Sequence, residues 1–185
     1  MQWYTLNQPL PASLPVQEAL DVYLHENGFT TEEYDHDVVE VTFWGFTFRI
    51  PNPDSRKIAV RFHDLHHLVT GYGTDPVGEA EISAWELRKG IGVFGLYVQA
   101  IIFFGAVLGM LHSPRLVSRA WRASKSDAVL PPVSLERYEH LLTLNLGELR
   151  ELYGCPQGGT AGRRTLNEHA PARPEGIDDP APQND

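Results

Sequence analysis

The chain has 185 residues, a length that suits one domain with a single core and is too short for two well-cored domains. Apolar residues make up 42% of the chain, so it can build a core and is not a disordered polymer. Its 24 acidic and 15 basic residues give a net charge of -9, which argues against general nucleic-acid binding because nothing global attracts phosphates.

The N-terminal third predicts one helix and one short region of β structure. Residues 1–20 carry neither Lys nor Arg and no continuous apolar run, so we expect no secretory signal or transit peptide and a cytoplasmic location. Residues 16–28 place apolar side chains at helical spacing and end at Gly28, a natural helix terminus. Residues 38–50 are rich in β-branched and aromatic side chains, which predicts a short strand or hairpin.

Two helices are predicted on either side of a short loop. Residues 54–70 run without a helix breaker and meet Gly71 at their end. Residues 77–89 carry acids near their start and bases near their end, as the helix dipole prefers. The loop between them, residues 71–76, has a length typical of antiparallel neighbours.

Residues 91–111 contain no charged side chain, and three interpretations of this run stay open. Its length just reaches the roughly 20 residues that a membrane span needs, and Gly105 and Gly109 form a GxxxG pair. Gln99 and the glycines weaken that interpretation. The alternatives are a helix buried on all sides of a small bundle and a helix that walls an apolar tunnel between helices.

Residues 114–125 predict a helix with one basic face. The spacing places Arg115, Arg119, Arg122 and Lys125 in a single stripe. This stripe is a candidate binding site for anionic headgroups or a prenyl phosphate, and the alternative is an ordinary solvated helix face.

The C-terminal part predicts one more helix followed by a tail. Residues 134–153 form an amphipathic pattern. Residues 156–185 have hardly any large apolar side chain, so we expect a disordered tail. We therefore expect one all-α domain over residues 1–155, with at most one short β-hairpin.

The chain has a single cysteine, Cys155, which excludes an internal disulfide framework and favours a reducing compartment. We assign no functional role to Cys155.

Ligand-type side chains cluster around residues 63–79. On a helix His63 and His67 lie one turn apart on the same face, with Asp64 close by. Eleven residues separate His67 from Glu79, so an antiparallel helix pair brings Glu79 opposite the histidines. Two imidazoles and two carboxylates suit Zn²⁺, and such ligands also serve Fe²⁺ or Mn²⁺, so the residue types do not fix the metal. The competing interpretation is an amphipathic helix whose histidines and Asp64 face solvent.

Two further residues are candidates for acid–base chemistry. His66 lies between the apolar stripe of its helix and the ligand face, so it is a hydrogen-bond donor behind the metal ligands, a pocket residue, an acid–base residue or a core histidine. Glu86 lies seven residues after Glu79 on the same face, where it can orient a ligand or act as acid or base. An exposed partner of a basic side chain is the alternative for Glu86.

The ligand pattern also matches a family signature. His63-Asp64-x-x-His67, eleven residues and Glu79, with Gly78 directly before the glutamate, resembles the HDxxHx11E signature of the coenzyme Q biosynthesis protein 4 family. The resemblance covers residues 15–153. It implies an all-α fold and a divalent metal, generally zinc, held by His63, Asp64, His67 and Glu79.

The same resemblance implies a function. It indicates a hydrophobic tunnel for a polyprenyl chain, peripheral membrane association and oxidative decarboxylation of the ring of a prenylated quinone precursor. His66 stands where the family usually has an aromatic residue such as Trp, and the chain is compact. These departures indicate a bacterial-type relative whose substrate need not be a ubiquinone precursor.

Two alternatives remain open at this point. The first is an HD-type phosphohydrolase, with His36, the His63-Asp64 doublet and Asp127 as its metal ligands. The second is a non-catalytic isoprenoid or lipid carrier, or a scaffold in a biosynthetic complex, with a structural metal. The expected partners are a hydrophobic or isoprenoid ligand, a membrane surface, and a second copy of the chain or a biosynthetic complex.

Overall fold

The described part of the chain, residues 9–43, 46–124 and 129–161 of a computed structural model, is mostly helical. Within these residues the α-helices are α1 Val16–Asn27, α2 Asp54–Thr70, α3 Pro76–Lys89, α4 Leu96–His112, α5 Pro114–Ala123, α6 Leu135–Leu142 and α7 Leu146–Leu152. The strands are β1 Val38–Phe43 and β2 Phe46–Pro51, and short 3-10 helices cover Thr31–Asp35 and Ile91–Val93. The predicted all-α fold with one short hairpin is confirmed.

Helix α2 is the central element. It packs against α1, α3, α4, α6 and α7, and its apolar stripe of Phe62, Leu65 and Val69 is completely buried. The helix ends at Gly71, whose φ of 77° is the left-handed conformation that glycine adopts readily. Because α2 is surrounded, side chains on several of its faces are held by neighbouring helices.

The two β strands form one antiparallel hairpin. Its register runs from Val38 opposite Pro51 to Phe43 opposite Phe46. The alternative of a single short strand is therefore wrong. The hairpin leads directly into α2, which brings β2 close to the start of that helix.

Helix α4 is neither a membrane span nor a helix buried on all sides, which are two of the three interpretations of residues 91–111. It has 17 residues, and no helix in the described part of the chain is long and apolar enough to cross a membrane. Nor is it buried on all sides, because Leu96, Phe104 and Leu111 are 82%, 61% and 78% exposed. Uniform apolarity alone did not reveal that only one face of α4 packs on the domain.

The GxxxG pair in α4 mediates packing inside the domain. A Cβ atom on Gly109 would lie 2.2 Å from the Cβ atom of Ala80, and one on Gly105 would lie 2.8 Å from Oγ of Ser83. Glycine at these positions therefore permits the close approach of α4 to α3. The third interpretation, a tunnel wall, is taken up with the cavity below.

The predicted single helix over residues 134–153 is wrong. The chain forms α6 and α7 with a break between them, because Asn145 caps the second helix. Its Oδ1 atom accepts a hydrogen bond from the Glu148 N–H at 2.9 Å, and the Glu148 carboxylate accepts from the Asn145 N–H at 2.9 Å. This reciprocal capping box begins a new helix.

The expected disordered tail is wrong for its first six residues. The N–H groups of Thr160 and Ala161 donate to the carbonyl of Thr70 at 2.7 and 2.9 Å, and Ala161 is buried. The last carbonyls of a helix have no partner within the helix, so this segment satisfies one of them at the end of α2. The remainder of the predicted tail, residues 162–185, lies outside the described residues.

Candidate metal centre

Two imidazoles and one carboxylate converge between α2 and α3. The Nε2 atoms of His63 and His67 are 3.2 Å apart. Oε2 of Glu79 lies 3.2 Å from Nε2 of His63, and Oε1 of Glu79 lies 3.3 Å from Nε2 of His67. One ligand atom from each residue lies within 4.8 Å of the others, so the group can hold a metal ion. We call these three residues the metal centre.

The start of α3 brings Glu79 to this position. The carboxylate of Asp75 caps the helix by accepting from the N–H groups of Val77 and Gly78 at 2.9 and 3.3 Å. A Cβ atom on Gly78 would lie 2.1 Å from the carbonyl oxygen of Gly73. The loop from α2 thus passes directly over Gly78, and the next residue along the chain faces the histidines.

The outer nitrogens of both imidazoles are engaged. Nδ1 of His67 lies 3.0 Å from the carbonyl oxygen of Tyr72, and Nδ1 of His63 lies 2.9 Å from Oε1 of Glu86. A carbonyl and a carboxylate only accept hydrogen bonds, so we assign the ring proton to Nδ1 in both histidines. In the neutral rings both Nε2 atoms then present lone pairs to each other and to Glu79. Such a set of acceptors can hold a cation.

The titration of the site points in the same direction. Burial opposes a charge on His63, but the carboxylates of Glu86 and Glu79 outweigh it and hold the pKa of His63 well above its usual value. Burial likewise opposes ionisation of Glu79, yet His67 and His63 lower its pKa to about 2. The pKa of Glu86 is also lowered against the effect of burial, chiefly by His63. These groups therefore stabilise positive charge between them.

Asp64, a predicted metal ligand, does not belong to this group. Its carboxylate is buried and accepts hydrogen bonds from the hydroxyl of Tyr34 and, at 3.4 Å, from that of Tyr23. Burial raises the pKa of Asp64, although the Tyr34 hydroxyl opposes this change. The ring of Tyr23 in turn stacks on His67 with centroids 5.7 Å apart. The structure thus places Asp64 beside the metal centre, where it holds an aromatic residue that supports His67.

His66 and Glu86 occupy the interior behind the centre. Nδ1 of His66 lies 2.6 Å from Oε1 of Glu86, the same oxygen that contacts His63. Glu86 is fully buried, so the alternative of an exposed partner of a base is wrong. His66 is also buried, packs against Trp85 and Tyr153, and does not line the cavity described next. The geometry makes His66 a core histidine and Glu86 the residue that orients His63.

A cavity of about 560 Å³ opens beside the metal centre. His63, Glu79 and Glu86 form part of its lining. Its apolar wall comes from α4 and the segment before it, through Phe94, Val98, Ile101, Ile102 and Gly105. Part of the run 91–111 therefore lines this cavity, and its predicted role as the wall of an isoprenoid tunnel stays a prediction. The volume lies within the range of small-molecule sites.

The cavity also contains polar residues that the sequence pattern does not reveal. Tyr34, Asn52 and Arg56 line it, and they come from a 3-10 helix, the loop after β2 and the first turn of α2. Of these three, only Arg56 could be placed from the sequence, because it precedes His63 by seven residues and therefore lies on the same face of the helix.

The predicted basic stripe does not reach this cavity. Arg115, Arg119 and Arg122 lie on α5, are exposed and do not line the cavity. Arg119 contacts Glu81 at 3.4 Å. Their predicted role as cofactor-binding residues in the same site is therefore not supported by their position. Lys125 lies outside the described residues.

The ligand set of an HD-type phosphohydrolase is only partly described. His36 is exposed and follows a 3-10 helix, and it is not part of the metal-binding group found among the described residues. Asp127 lies outside the described residues. The group contains instead His67 and Glu79, which that alternative does not use.

Comparisons with known proteins add no relative. No protein-family model, curated protein or solved structure matches the chain.

Proposed function

We propose that the protein is a metal-dependent enzyme that processes the ring of an apolar, prenylated aromatic substrate, a lyase of the oxidative decarboxylation type. The observation that carries this proposal is the convergence of His63, His67 and Glu79 at the wall of an apolar cavity. The resemblance to the coenzyme Q biosynthesis protein 4 family supplies the reaction type. Zn²⁺ fits the donor set best, and Fe²⁺ or Mn²⁺ are the alternatives.

The three ligands suit catalysis because they leave room for a substrate. A catalytic zinc site typically has three protein ligands and one open position. His67 is fully buried, whereas His63 and Glu79 are partly exposed and face the cavity. A bound metal would supply Lewis acidity to an oxygen of the substrate ring. Glu86 would hold His63 in orientation, and the wall of α4 would bind the apolar body and exclude water.

The oxidative part of the reaction needs an electron acceptor. Zinc undergoes no redox chemistry, so a co-substrate such as dioxygen must accept the electrons, either directly from the substrate or through a redox-active metal at the centre. The identity of the metal is thus the measurement that separates these two versions of the proposal.

A second candidate function is favoured by the apolar cavity wall alone. A carrier of an isoprenoid or other lipid, or a scaffold with a structural metal, would use the same cavity without turnover. It predicts that the purified protein retains lipid but converts no candidate substrate. It also predicts that Glu79→Ala abolishes folding, whereas an enzyme with a catalytic metal would retain its fold in this variant.

We also propose that α4 contacts a membrane surface, on the cytoplasmic side. Eight of its apolar side chains are well exposed, namely Leu96, Ile101, Phe103, Phe104, Val107, Leu108, Met110 and Leu111. The neighbouring helix α5 adds exposed Arg115 and Arg122, which suit anionic headgroups. A peripheral position would let an apolar substrate pass from the bilayer into the cavity. A second copy of the chain, or a partner in a biosynthetic complex, is the other occupant to be tested.

Metal analysis of purified variants tests the enzyme proposal. We expect one metal ion per chain in the wild type and its loss in His63→Ala, His67→Ala and Glu79→Ala. His25→Ala is the matched control, because His25 is exposed on α1. The phosphohydrolase alternative predicts instead that His36→Ala loses the metal and that His67→Ala keeps it. A metal content equal to that of the wild type in all three variants of the metal centre would contradict the proposal.

A further inference from the structure

One face of α2 combines a cation with the metal centre. Arg56, Ala59, Val60, His63 and Asp64 all line the cavity, and their spacing is that of a single helical stripe. Two turns separate Arg56 from His63, which corresponds to about 10 Å along the helix. The short apolar side chains of Ala59 and Val60 lie between them. The cavity wall therefore has a positive end, an apolar middle and a metal-binding end.

Arg56 is the basic residue of this region that forms no ion pair within 4.0 Å with an acid among the described residues. Lys57 pairs with Asp37 at 2.9 Å, and Arg61 pairs with Asp35 at 3.0 Å. Within the described part of the chain, the guanidinium of Arg56 makes one hydrogen bond, which it donates to Oδ1 of Asn52 at 2.9 Å. A guanidinium has several N–H donors, so most of them are available to a ligand. Arg56 is also half-buried, and this burial lowers its pKa.

Asn52 holds the guanidinium in place. It is buried, and its side-chain amide donates to the carbonyls of Tyr34 and His36 at 3.0 and 2.7 Å. Its backbone N–H donates to the carbonyl of Asp37 at 2.8 Å. Because Asn52 is fixed at three points, the donor group of Arg56 is preorganised rather than mobile.

The cavity lining also contains the carboxylates of Glu33, Glu40, Asp64, Glu79 and Glu86. Glu33 accepts a hydrogen bond from the Thr30 N–H at 3.5 Å, and Glu40 pairs with Arg49 at 3.5 Å. Asp64 accepts from two tyrosine hydroxyls, as described above. Among the described residues that line the cavity, Arg56 is the only arginine or lysine, so it is the side chain there that can form a charge-assisted pair with an anionic ligand. A single cation balances one negative charge, which favours a carboxylate over a phosphate monoester of nearly twice that charge.

We propose that Arg56 is a specificity-determining residue that binds the carboxylate of the substrate. The planar guanidinium matches a carboxylate in a bidentate arrangement. The apolar body of the ligand would lie along Ala59 and Val60, and another of its oxygens would reach the metal centre. The ligand class is thus an amphiphilic monocarboxylate. This inference rests on the proposed function for the metal end only, since binding of the carboxylate needs no metal.

Binding of three matched probes tests the assignment. Calorimetry would compare 4-octylbenzoate, its neutral amide and 4-octylphenyl phosphate on the wild type, Arg56→Gln, Arg56→Lys and Lys57→Gln. We expect the wild type to bind the benzoate about tenfold or more tightly than the amide, as a hydrogen-bonded charge pair allows. Arg56→Gln should lose this preference, Arg56→Lys should keep part of it, and Lys57→Gln should keep all of it.

The variants separate binding from folding. Gln at position 56 still offers an N–H donor to Asn52, and Lys57→Gln removes the same charge from the adjacent residue, outside the cavity lining. Thermal unfolding of each variant would establish that the fold is retained. Equal binding of benzoate and amide by the wild type, an undiminished preference in Arg56→Gln, or tighter binding of the phosphate would overturn the assignment.

The experiment also distinguishes this inference from the proposed metal function. Glu79→Gln should lose zinc and retain the preference for benzoate over amide. Failure of the metal proposal would appear as unchanged zinc content in Glu79→Gln, with the carboxylate preference unaffected. Failure of the Arg56 assignment would appear as a lost or absent preference in proteins that bind zinc normally.

Discussion

Nε2 of His63 and Nε2 of His67 lie 3.2 Å apart, while the other nitrogen of each ring faces an acceptor-only oxygen. Two neutral imidazoles in this arrangement would direct lone pairs at each other, so the pair is stabilised by a positive charge between them. Glu79 adds a carboxylate to the same point. The arrangement therefore depends as much on Glu86 and the Tyr72 carbonyl, which set the ring protons, as on the ligands.

Glu86→Gln should weaken zinc binding without unfolding the protein. The amide is similar in size but has no charge to polarise His63, and partners of this kind typically contribute about 10- to 100-fold in metal affinity. Competition with a chromophoric chelator would measure the change. Glu139→Gln, on the exposed side of α6, is the control. Zinc affinity equal to the wild type in Glu86→Gln would show that Glu86 does not orient the ligand.

Gly78→Ala should damage both stability and the metal centre. The added Cβ atom would lie 2.1 Å from the backbone oxygen of Gly73, and neither backbone can yield without moving the loop. We expect a loss of about 1–3 kcal/mol in the free energy of unfolding, typical of overpacking, and weaker zinc binding because Glu79 moves. Denaturant titration and zinc competition measure these effects. Gly92→Ala, which meets no atom within 4 Å, should change neither.

The arrangement of the metal centre could be predicted because its geometry is local. The spacing of His63 and His67 follows from the helix period, and the short loop returns α3 alongside α2. The position of Asp64 could not be predicted in this way. Its partners Tyr23 and Tyr34 lie 41 and 30 residues away in the sequence, and no local pattern reports such contacts.

The differences between the predicted and the observed fold have separate physical causes. The sequence does contain a signal for the break before α7, namely the capping box formed by Asn145 and Glu148. The otherwise continuous amphipathic pattern of this region concealed it. The sequence contains no signal for the exposed face of α4, because a uniformly apolar helix does not show which of its sides packs on the domain. The packing of Ala161 on the end of α2 depends on backbone hydrogen bonds, and amino-acid composition does not predict such bonds.

Zinc affinity should rise with pH through the titration of His63. The adjoining carboxylates of Glu86 and Glu79 hold the pKa of His63 above its usual value despite burial, so below that pKa zinc must displace a proton. The apparent affinity should then rise about tenfold per pH unit for each proton displaced and level off above the pKa. Glu79, with a pKa of about 2, adds nothing in the neutral range.

Zinc competition between roughly pH 5 and 9 measures this profile, since histidines usually titrate between about pH 5 and 8 and the pKa of His63 is raised above its usual value. Glu86→Gln supplies the internal control. Loss of the carboxylate lowers the pKa of His63, so the plateau should begin at a lower pH than in the wild type. An affinity that does not vary with pH would contradict the assignment of His63 as a ligand.

Paired substitutions on α4 should abolish binding to anionic vesicles. Phe104→Asp with Leu111→Asp places two charges on its exposed face, where they oppose both insertion and anionic lipid. Arg115→Gln with Arg122→Gln should weaken binding by about 1 kcal/mol for each charge removed, and only to anionic lipid. Vesicle flotation measures both effects, and Leu135→Asp, on exposed α6, is the control. If light scattering instead shows a wild-type dimer that the α4 pair dissociates, with no vesicle binding, a second copy covers this face.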